Sequence, residues 1–231
     1  AFPKGLVVHW VAGNVPTLGI ISLLISVVCK NANIIKVSQD SPVVMQKMLQ
    51  IMSKVKIKTL NGKTVSGKII TDSIALVYVG RNSTNNKKLS QIADVRIAWG
   101  GRDAVESIVD LPKKYNCDDI IFGPKLSLSA IGRESMNVER KVNRIARGVA
   151  IDASIFDQKA CASSHNLFIE KGGSVNIEKF LHLLSKRMEE VSNQIPGNDE
   201  DFIVFDKIKS ARLDAYLSKS TKLISSKNMK W

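Results

Sequence analysis

The most reactive side chain in a favourable setting is Cys161, within Gln158-Lys159-Ala160-Cys161-Ala162-Ser163-Ser164. Small residues after it leave room for an electrophile, and Lys159 favours the thiolate, which is the nucleophilic form. The same pattern also suits a cysteine packed in a core. Cys29 follows an apolar stretch and Cys117 lies in a polar loop, so neither has an equivalent setting. His165 comes four residues after Cys161. If the intervening chain is helical, the two share a face and the imidazole is a candidate proton donor. His9 falls just inside the first apolar run, near the mouth of a site, and His182 on an amphipathic pattern reads as structural. No His, Cys, Asp and Glu residues stand at metal-ligand spacing, so no metal is expected.

Four further segments punctuate apolar runs: Ala12–Pro16 (AGNVP), Lys36–Gln39 (KVSQ), Trp99–Arg102 (WGGR) and Phe122–Lys125 (FGPK). In a doubly wound parallel sheet such segments lie at the carboxyl ends of strands, where ligands bind. Taken singly, each is also what a strand-to-helix turn needs for backbone reasons. The usual GxGxxG dinucleotide fingerprint is absent.

The elements that must position these residues follow from hydrophobic period. Leu6–Trp10, Asn33–Ser38, Ile74–Val79, Asp94–Trp99 and Asp119–Phe122 read as buried strands. Between them lie helical patterns at Pro16–Lys30, Pro42–Ser53 with Ser41 as N-cap, Lys87–Ile92 and Arg102–Val109. Asn61-Gly62 marks a hairpin inserted between Ile57 and Ile70. This alternation implies βαβ units and a parallel sheet covered by helices. Further on, Asn137–Ala153 is a helical and strongly basic pattern with Arg140, Lys141, Arg144 and Arg147. Asn166–Glu170 reads as a strand, and Val175–Gln194 as an amphipathic helix stopped by Ile195-Pro196-Gly197. The Ser/Lys-rich tail beyond Thr221 reads as a fraying end.

Composition narrows the function classes. In 231 residues, 34 Lys and Arg face 21 Asp and Glu, a formal charge of +13 that fits a basic surface, a nucleic-acid binder or an enzyme for polyanionic ligands. Aromatics are only 6%, too few for a series of base-stacking platforms, so nucleic acid ranks last. The longest apolar run, Leu18–Val28, is broken by Ser22 and Ser26 and is too short to span a bilayer. Three cysteines without a CxxC pair point to a reducing cytoplasm.

Taken in order, these segments resemble the aldehyde dehydrogenase superfamily, and in detail its acyl-CoA reductase branch of the bacterial bioluminescence type. The stretches that carry the resemblance are His9–Pro16 (HWVAGNVP), Lys30–Lys36 (KNANIIK), Ala98–Glu106 (AWGGRDAVE) and Ala160–Ser164 (ACASS). It runs from Gly5 to at least Glu170. It implies a doubly wound, Rossmann-like α/β fold, with residues 1–125 as the NADP-binding domain and 126–231 as part of a second α/β catalytic domain.

On this resemblance Cys161 is the nucleophile, attacking an acyl-CoA or acyl-protein thioester and expelling its thiol. Asn14 is the oxyanion-hole amide, acting with the Cys161 backbone N–H. Hydride transfer to the acyl-enzyme then gives a long-chain aldehyde. Lys36 and Ser38 match positions that hold the adenosine ribose. Gln39 stands where many NAD-preferring relatives carry an acid, so a 2′-phosphate meets Lys36 without a facing carboxylate and NADPH is the expected cofactor. Gly100 and Gly101 match the turn that lets backbone approach the cofactor phosphates, and Lys125 matches a cofactor-binding position of the family. Where hydrolytic relatives carry a general-base Glu, this chain has Ile121, as suits an acyl-enzyme awaiting hydride.

The resemblance also implies an acyl-transferring synthetase subunit as partner and an oligomer at full length. The chain starts at the first cofactor-domain strand and ends about 70 residues after Cys161, so a piece of a longer protein is expected. Rival readings are a CoA-acylating short-chain aldehyde dehydrogenase and a truncated, inactive relative serving as a binding module.

Overall fold

The computed structural model describes residues 2–13, 15, 17–38, 42–158, 160–195, 202–218, 221–226 and 231. The chain divides into two compact units, Ala1–Pro124 and Lys125–Trp231.

The first unit is built on five parallel strands: β1 (Leu6–Trp10), β2 (Ala32–Val37), β5 (Ile74–Tyr78), β6 (Val95–Trp99) and β7 (Asp118–Phe122). Their order is β5-β2-β1-β6-β7, with β1 pairing β2 on one side and β6 on the other. The chain therefore winds outward from β1 in one direction and then crosses back to β6. That reversal is the topological switch point of a doubly wound sheet, and it lies between β1 and β6. β1 reads LVVHW because a central strand is covered on both faces.

Helices α1 (Leu18–Val28) and α2 (Pro42–Lys54) bring Leu23 and Met45 against Val11, Ile35 and Val37. On a separate core cluster, α4 (Asn85–Ile92) and α5 (Arg102–Val109) bring Leu89, Val105 and Ile108 against Val8, Trp10 and Ala98. Each such aliphatic side chain contributes about 1.5–3 kcal/mol when fully buried. Between α2 and β5 stand the hairpin strands β3 (Lys56–Lys58) and β4 (Thr64–Ser66), then the short α3 (Lys68–Thr71). Gly62 takes φ 77 in that hairpin loop, which a residue with a Cβ adopts only under strain.

Two buried polar clusters brace the sheet. Arg96 on β6 is 1% exposed and lies against Asp119 of β7, with Nε–Oδ1 at 2.6 Å and Nη2–Oδ2 at 2.7 Å. Its guanidinium also donates to the carbonyls of Ile108 and Leu111 at 2.9 and 3.0 Å and to Ser90 Oγ at 2.9 Å. One charge thus caps the last turn of α5, where helix carbonyls lack partners, and ties that helix to the sheet. Hydrogen bonding from Arg96 holds the Asp119 carboxyl below its ordinary range, with Lys113 adding to it. His9 on β1 is fully buried, with Nδ1 3.1 Å from Ser22 Oγ and Nε2 3.0 Å from Asn33 Oδ1.

The second unit begins with β8 (Ser127–Ile131), which pairs in parallel with β9 (Ser164–Ile169). A 3-10 turn (Arg133–Met136) and α6 (Glu139–Ser154) connect them, followed by a 3-10 turn at Ile155–Gln158. Then come α7 (Ile177–Gln194) and α8 (Phe202–Leu217). Asn176 caps α7, its side-chain oxygen accepting from Lys179 N at 2.9 Å. Val142 and Ala146 of α6 meet Phe180 of α7 over Ile131, Met136 and Val175 to form the core.

The sequence patterns for β1, β2, β5, β6, β7 and the hairpin match the observed elements. The expected N-cap Ser41 and the helix stop at Pro196-Gly197 lie outside the described residues. Two elements, β8 and α8, had no clear pattern.

Candidate active site

Unit 1 gathers its candidate residues along one edge. In the ladder Lys36 is level with Trp10, and Trp10 with Ala98, so the carboxyl ends of β2, β1 and β6 are neighbours. Val11 N, just past β1, donates to Lys36 O at 3.1 Å and continues the pairing toward the edge. Lys36 is half-buried, and burial lowers its amine from the ordinary lysine value. Ser38 follows one residue after β2 and is also half-buried. Asn14 and Gln39, assigned to the oxyanion hole and the ribose loop, lie outside the described residues.

Gly100 and Gly101 close β6 and open α5. Gly100 N donates to Phe122 O at 3.2 Å, and Gly101 is the N-cap of α5 with extended backbone. A Cβ on Gly101 would meet nothing within 4 Å, whereas one on Gly100 would come within 3.0 Å of the Ala104 methyl. The turn therefore offers bare backbone beside open space, as a phosphate-bearing ligand requires. Beside it Trp99 stacks on Phe122, centroids 3.8 Å apart, and its buried indole N–H finds no acceptor among the described residues. These features fit the pyrophosphate end of a dinucleotide.

Within unit 2, Cys161 is an exposed free cysteine in the turn before β9. Its backbone oxygen accepts from Ser127 Oγ at 2.6 Å, which pins the turn to the start of β8. A second contact, Ser129 Oγ to Ser164 Oγ at 2.7 Å, holds the next rung. Upstream, Phe156 and Gln158 adopt φ of 56 and 58, left-handed values that non-glycine residues seldom take. Backbone in this region stores strain, and such strain tends to gather at functional turns. Lys159 lies outside the described residues.

Two histidine expectations are corrected. The chain between Cys161 and His165 is turn and strand, so the helical spacing that would bring them onto one face is absent. His165 is exposed on β9 at a shift of register, since Ser164 pairs with Ser127 and Asn166 with Leu128. The Ser-rich sequence favoured extension where a helical offset had been read. His9 is not at a mouth: it is sealed between Ser22 and Asn33, and burial lowers its pKa below 6.5. His182 is exposed on α7. Lys125 is exposed in the segment between β7 and β8.

Cys117 is buried, and burial raises its thiol above the ordinary value, the reverse of what a nucleophile needs. No group of His, Cys, Asp and Glu among the described residues could hold a metal ion. Among them, no helix is long and apolar enough to cross a membrane. The Arg96 cluster was missed by the sequence reading, although an arginine inside an apolar strand with an acid on the next strand is a visible signal.

The family model described as acyl-CoA reductase (LuxC) matches residues 1–231. A long-chain acyl-protein thioester reductase of Aliivibrio fischeri is 31% identical over 204 residues, covering 87% of this chain and 39% of that protein. The protein of the same name from Vibrio harveyi is 28% identical, covering 100% of this chain and 45% of its own length. The chain thus spans less than half the length of these relatives. Among solved structures, an NAD-dependent benzaldehyde dehydrogenase from Corynebacterium glutamicum superposes with TM-score 0.66 at 14% identity, over 92% of this chain and 45% of that one. A substrate-bound AldH from Staphylococcus aureus gives TM-score 0.62 at 16% identity, over 100% of this chain and 47% of that one. The fold is aldehyde dehydrogenase-like.

Proposed function

Because this chain belongs to the acyl-CoA reductase (LuxC) family, we propose that it supplies the cofactor-binding edge and the nucleophile of a reductase that converts a long-chain acyl thioester to an aldehyde. The single observation that carries the reading is Cys161, the exposed one of three free cysteines, held in a pinned turn in a chain of this family.

Cys161 Sγ attacks the thioester carbonyl. The carbon–sulfur bond to the carrier breaks, its thiol departs with a proton, and the acyl group is left on Cys161. Asn14 and the Cys161 backbone N–H donate to the oxyanion of the tetrahedral stage, an interaction worth about 2.7–4 kcal/mol per donor. NADPH, when bound, supplies the hydride and its two electrons that take the acyl carbon to the aldehyde level. Lys36, Ser38 and Gln39 would hold its adenosine ribose and 2′-phosphate, the Gly100–Gly101 turn would hold its pyrophosphate, and Lys125 would serve the same side. The thiohemiacetal anion so formed collapses to the aldehyde as its bond to Cys161 Sγ breaks, and the released thiolate takes a proton from solvent. Ile121 offers no base to activate water against the acyl-enzyme.

The relatives' names support an acyl group carried on a protein as substrate; acyl-CoA serves as a surrogate donor, and an acyl-transferring synthetase is the partner we propose to supply it. A solved glycolyl-CoA reductase with bound NADP+ shares the fold at TM-score 0.56, which supports a nicotinamide cofactor. The free cysteines support a reducing, cytoplasmic setting, and we propose that the full-length protein is an oligomer. The test is stoichiometric: full-length protein given tetradecanoyl-CoA should form one aldehyde per NADPH oxidised, and Cys161→Ala should form none. Aldehyde formation that survives Cys161→Ala would overturn the reading.

A further inference from the structure

Helix α6 carries a face that the reductase chemistry does not use. Val142, Ala146 and Ala150 are its buried side, and Arg140, Arg144 and Arg147 stand exposed at i, i+4 and i+7 on another side, with exposed Lys141 beside them. The three arginines span roughly 10 Å along the helix at 1.5 Å per residue. None of the four cations has an ion-pair or hydrogen-bond partner among the described residues.

Several nearby carboxylates are committed elsewhere: Glu139 to Lys179, Glu134 and Glu170 to Arg133, Glu178 to Lys222, and Glu190 to Arg187. Asp152, the other acid of α6, pairs with none of the four cations among the described residues. The arrangement opposes the helix twice. Like charges at i, i+3 and i+4 repel, and Arg140 and Lys141 occupy the first turn, where the helix dipole favours acids. An anionic surface laid over such a stripe relieves both repulsions.

We propose that Arg140, Lys141, Arg144 and Arg147 form the docking face for an acidic surface of the protein that carries the acyl thioester. The proposal rests on the reading that the acyl group arrives on a protein. Arginine forks suit carboxylates, which accept two parallel hydrogen bonds from one guanidinium. A second copy of this chain, at +13, is a like-charged partner. Nucleic acid would want stacking platforms, and α6 has no aromatic residue. A lipid surface would want apolar side chains to insert, and those of α6 turn toward its own core. In sequence, α6 leads through the strained turn Ile155–Gln158 toward Cys161, so a partner seated on it is only a few residues from the nucleophile's segment.

The experiment follows, by fluorescence anisotropy, binding of a labelled helical peptide with Glu on one face to the full-length protein. Arg140→Gln/Arg144→Gln/Arg147→Gln should weaken binding about tenfold or more, and the matching Arg→Lys triple much less. Lys56→Gln/Lys58→Gln/Lys63→Gln, which removes the same charge from the β3–β4 hairpin, should change it less than about twofold. Equal losses from the two Gln triples would show net charge at work and overturn the proposal. So would absence of peptide binding to the unsubstituted protein. Tighter stripe-dependent binding of a single-stranded oligonucleotide or of phosphatidylserine vesicles would overturn it too. A parallel arm measures reduction: KM for an acyl-protein donor should rise about tenfold in the α6 triple while kcat with acyl-CoA stays unchanged. Stripe-dependent peptide binding in a protein that reduces no thioester supports the docking face and sinks the reductase reading alone.

Discussion

Unit 1 and unit 2 solve the problem of holding chemistry in different ways. Unit 1 wraps five parallel strands in helices and buries two polar clusters, Arg96–Asp119 and His9–Ser22–Asn33, inside that frame. Its candidate residues stand at strand ends, and their backbone is fixed by the ladder. Unit 2, among the described residues, has two strands, a smaller core and the proposed nucleophile Cys161 in a turn pinned by Ser127. The comparison teaches that the proposed cofactor edge is positioned by sheet topology, whereas the proposed nucleophile is positioned by a few side-chain hydrogen bonds and a strained turn.

The largest expected effects test whether each unit stands on its own core. Arg96→Met removes the buried guanidinium from Asp119, which keeps only the more exposed Lys113, and from the last carbonyls of α5, a loss of up to about 3–5 kcal/mol. Phe180→Ala empties the centre of unit 2 at about 3–5 kcal/mol. Hydrogen exchange read by segment should show Arg96→Met loosening β6, β7 and α5, and Phe180→Ala loosening α6 and α7. Loosening of both units by either change would break the comparison.

Next comes the oxyanion residue. Asn14→Ala should lower kcat by about 10²–10³ with little change in cofactor affinity, because the amide acts on the transition state. An effect confined to cofactor binding would make Asn14 a turn residue of unit 1. Smaller again is cofactor choice: Gln39→Glu should weaken NADPH relative to NADH by about 1–2 kcal/mol for a partly exposed pair. Equal losses for both cofactors would move the ribose away from the end of β2.

The smallest effect is acid sensitivity. Burial lowers the pKa of His9 below its ordinary 6.5, so the folded state favours the neutral ring. That contribution is whole above about 6.5 and is lost as pH falls toward the folded value, with a slope of at most about 1.4 kcal/mol per pH unit. Denaturant melts of unit 1 followed between pH 7 and 5 should show this slope, and His9→Gln should flatten it. An unchanged slope in His9→Gln would place the sensitivity elsewhere.

How much of this was legible in the sequence differs between the units for physical reasons. A strand buried on both faces must be a short apolar run, and Leu6–Trp10 and Val95–Trp99 are such runs even with His9 and Arg96 inside them. The turn glycines at Gly100-Gly101 were readable as a strand-to-helix corner, although only Gly100 is crowded, by the Ala104 methyl. In unit 2, β8 reads SLSAI, with serines on the face that bonds Ser164 and Cys161, so it lacks a strand's apolar signature. α8 spreads Phe205, Ile208, Leu213 and Leu217 around its circumference, and no single helical stripe stands out. The His165 expectation was conditional on helical spacing, and the turn and strand between Cys161 and His165 do not meet that condition. The buried role of His9 depends on Ser22 and Asn33, which are distant in sequence.

The most direct test is to give the full-length protein a radiolabelled long-chain acyl thioester without reduced cofactor, quench, digest and locate the label. The label should sit on the peptide containing Cys161, be released by neutral hydroxylamine as a thioester, and disappear in Cys161→Ala while persisting in Cys29→Ala and Cys117→Ala. Label that remains in Cys161→Ala and vanishes in Cys29→Ala or Cys117→Ala would contradict the assignment of the nucleophile to the turn before β9.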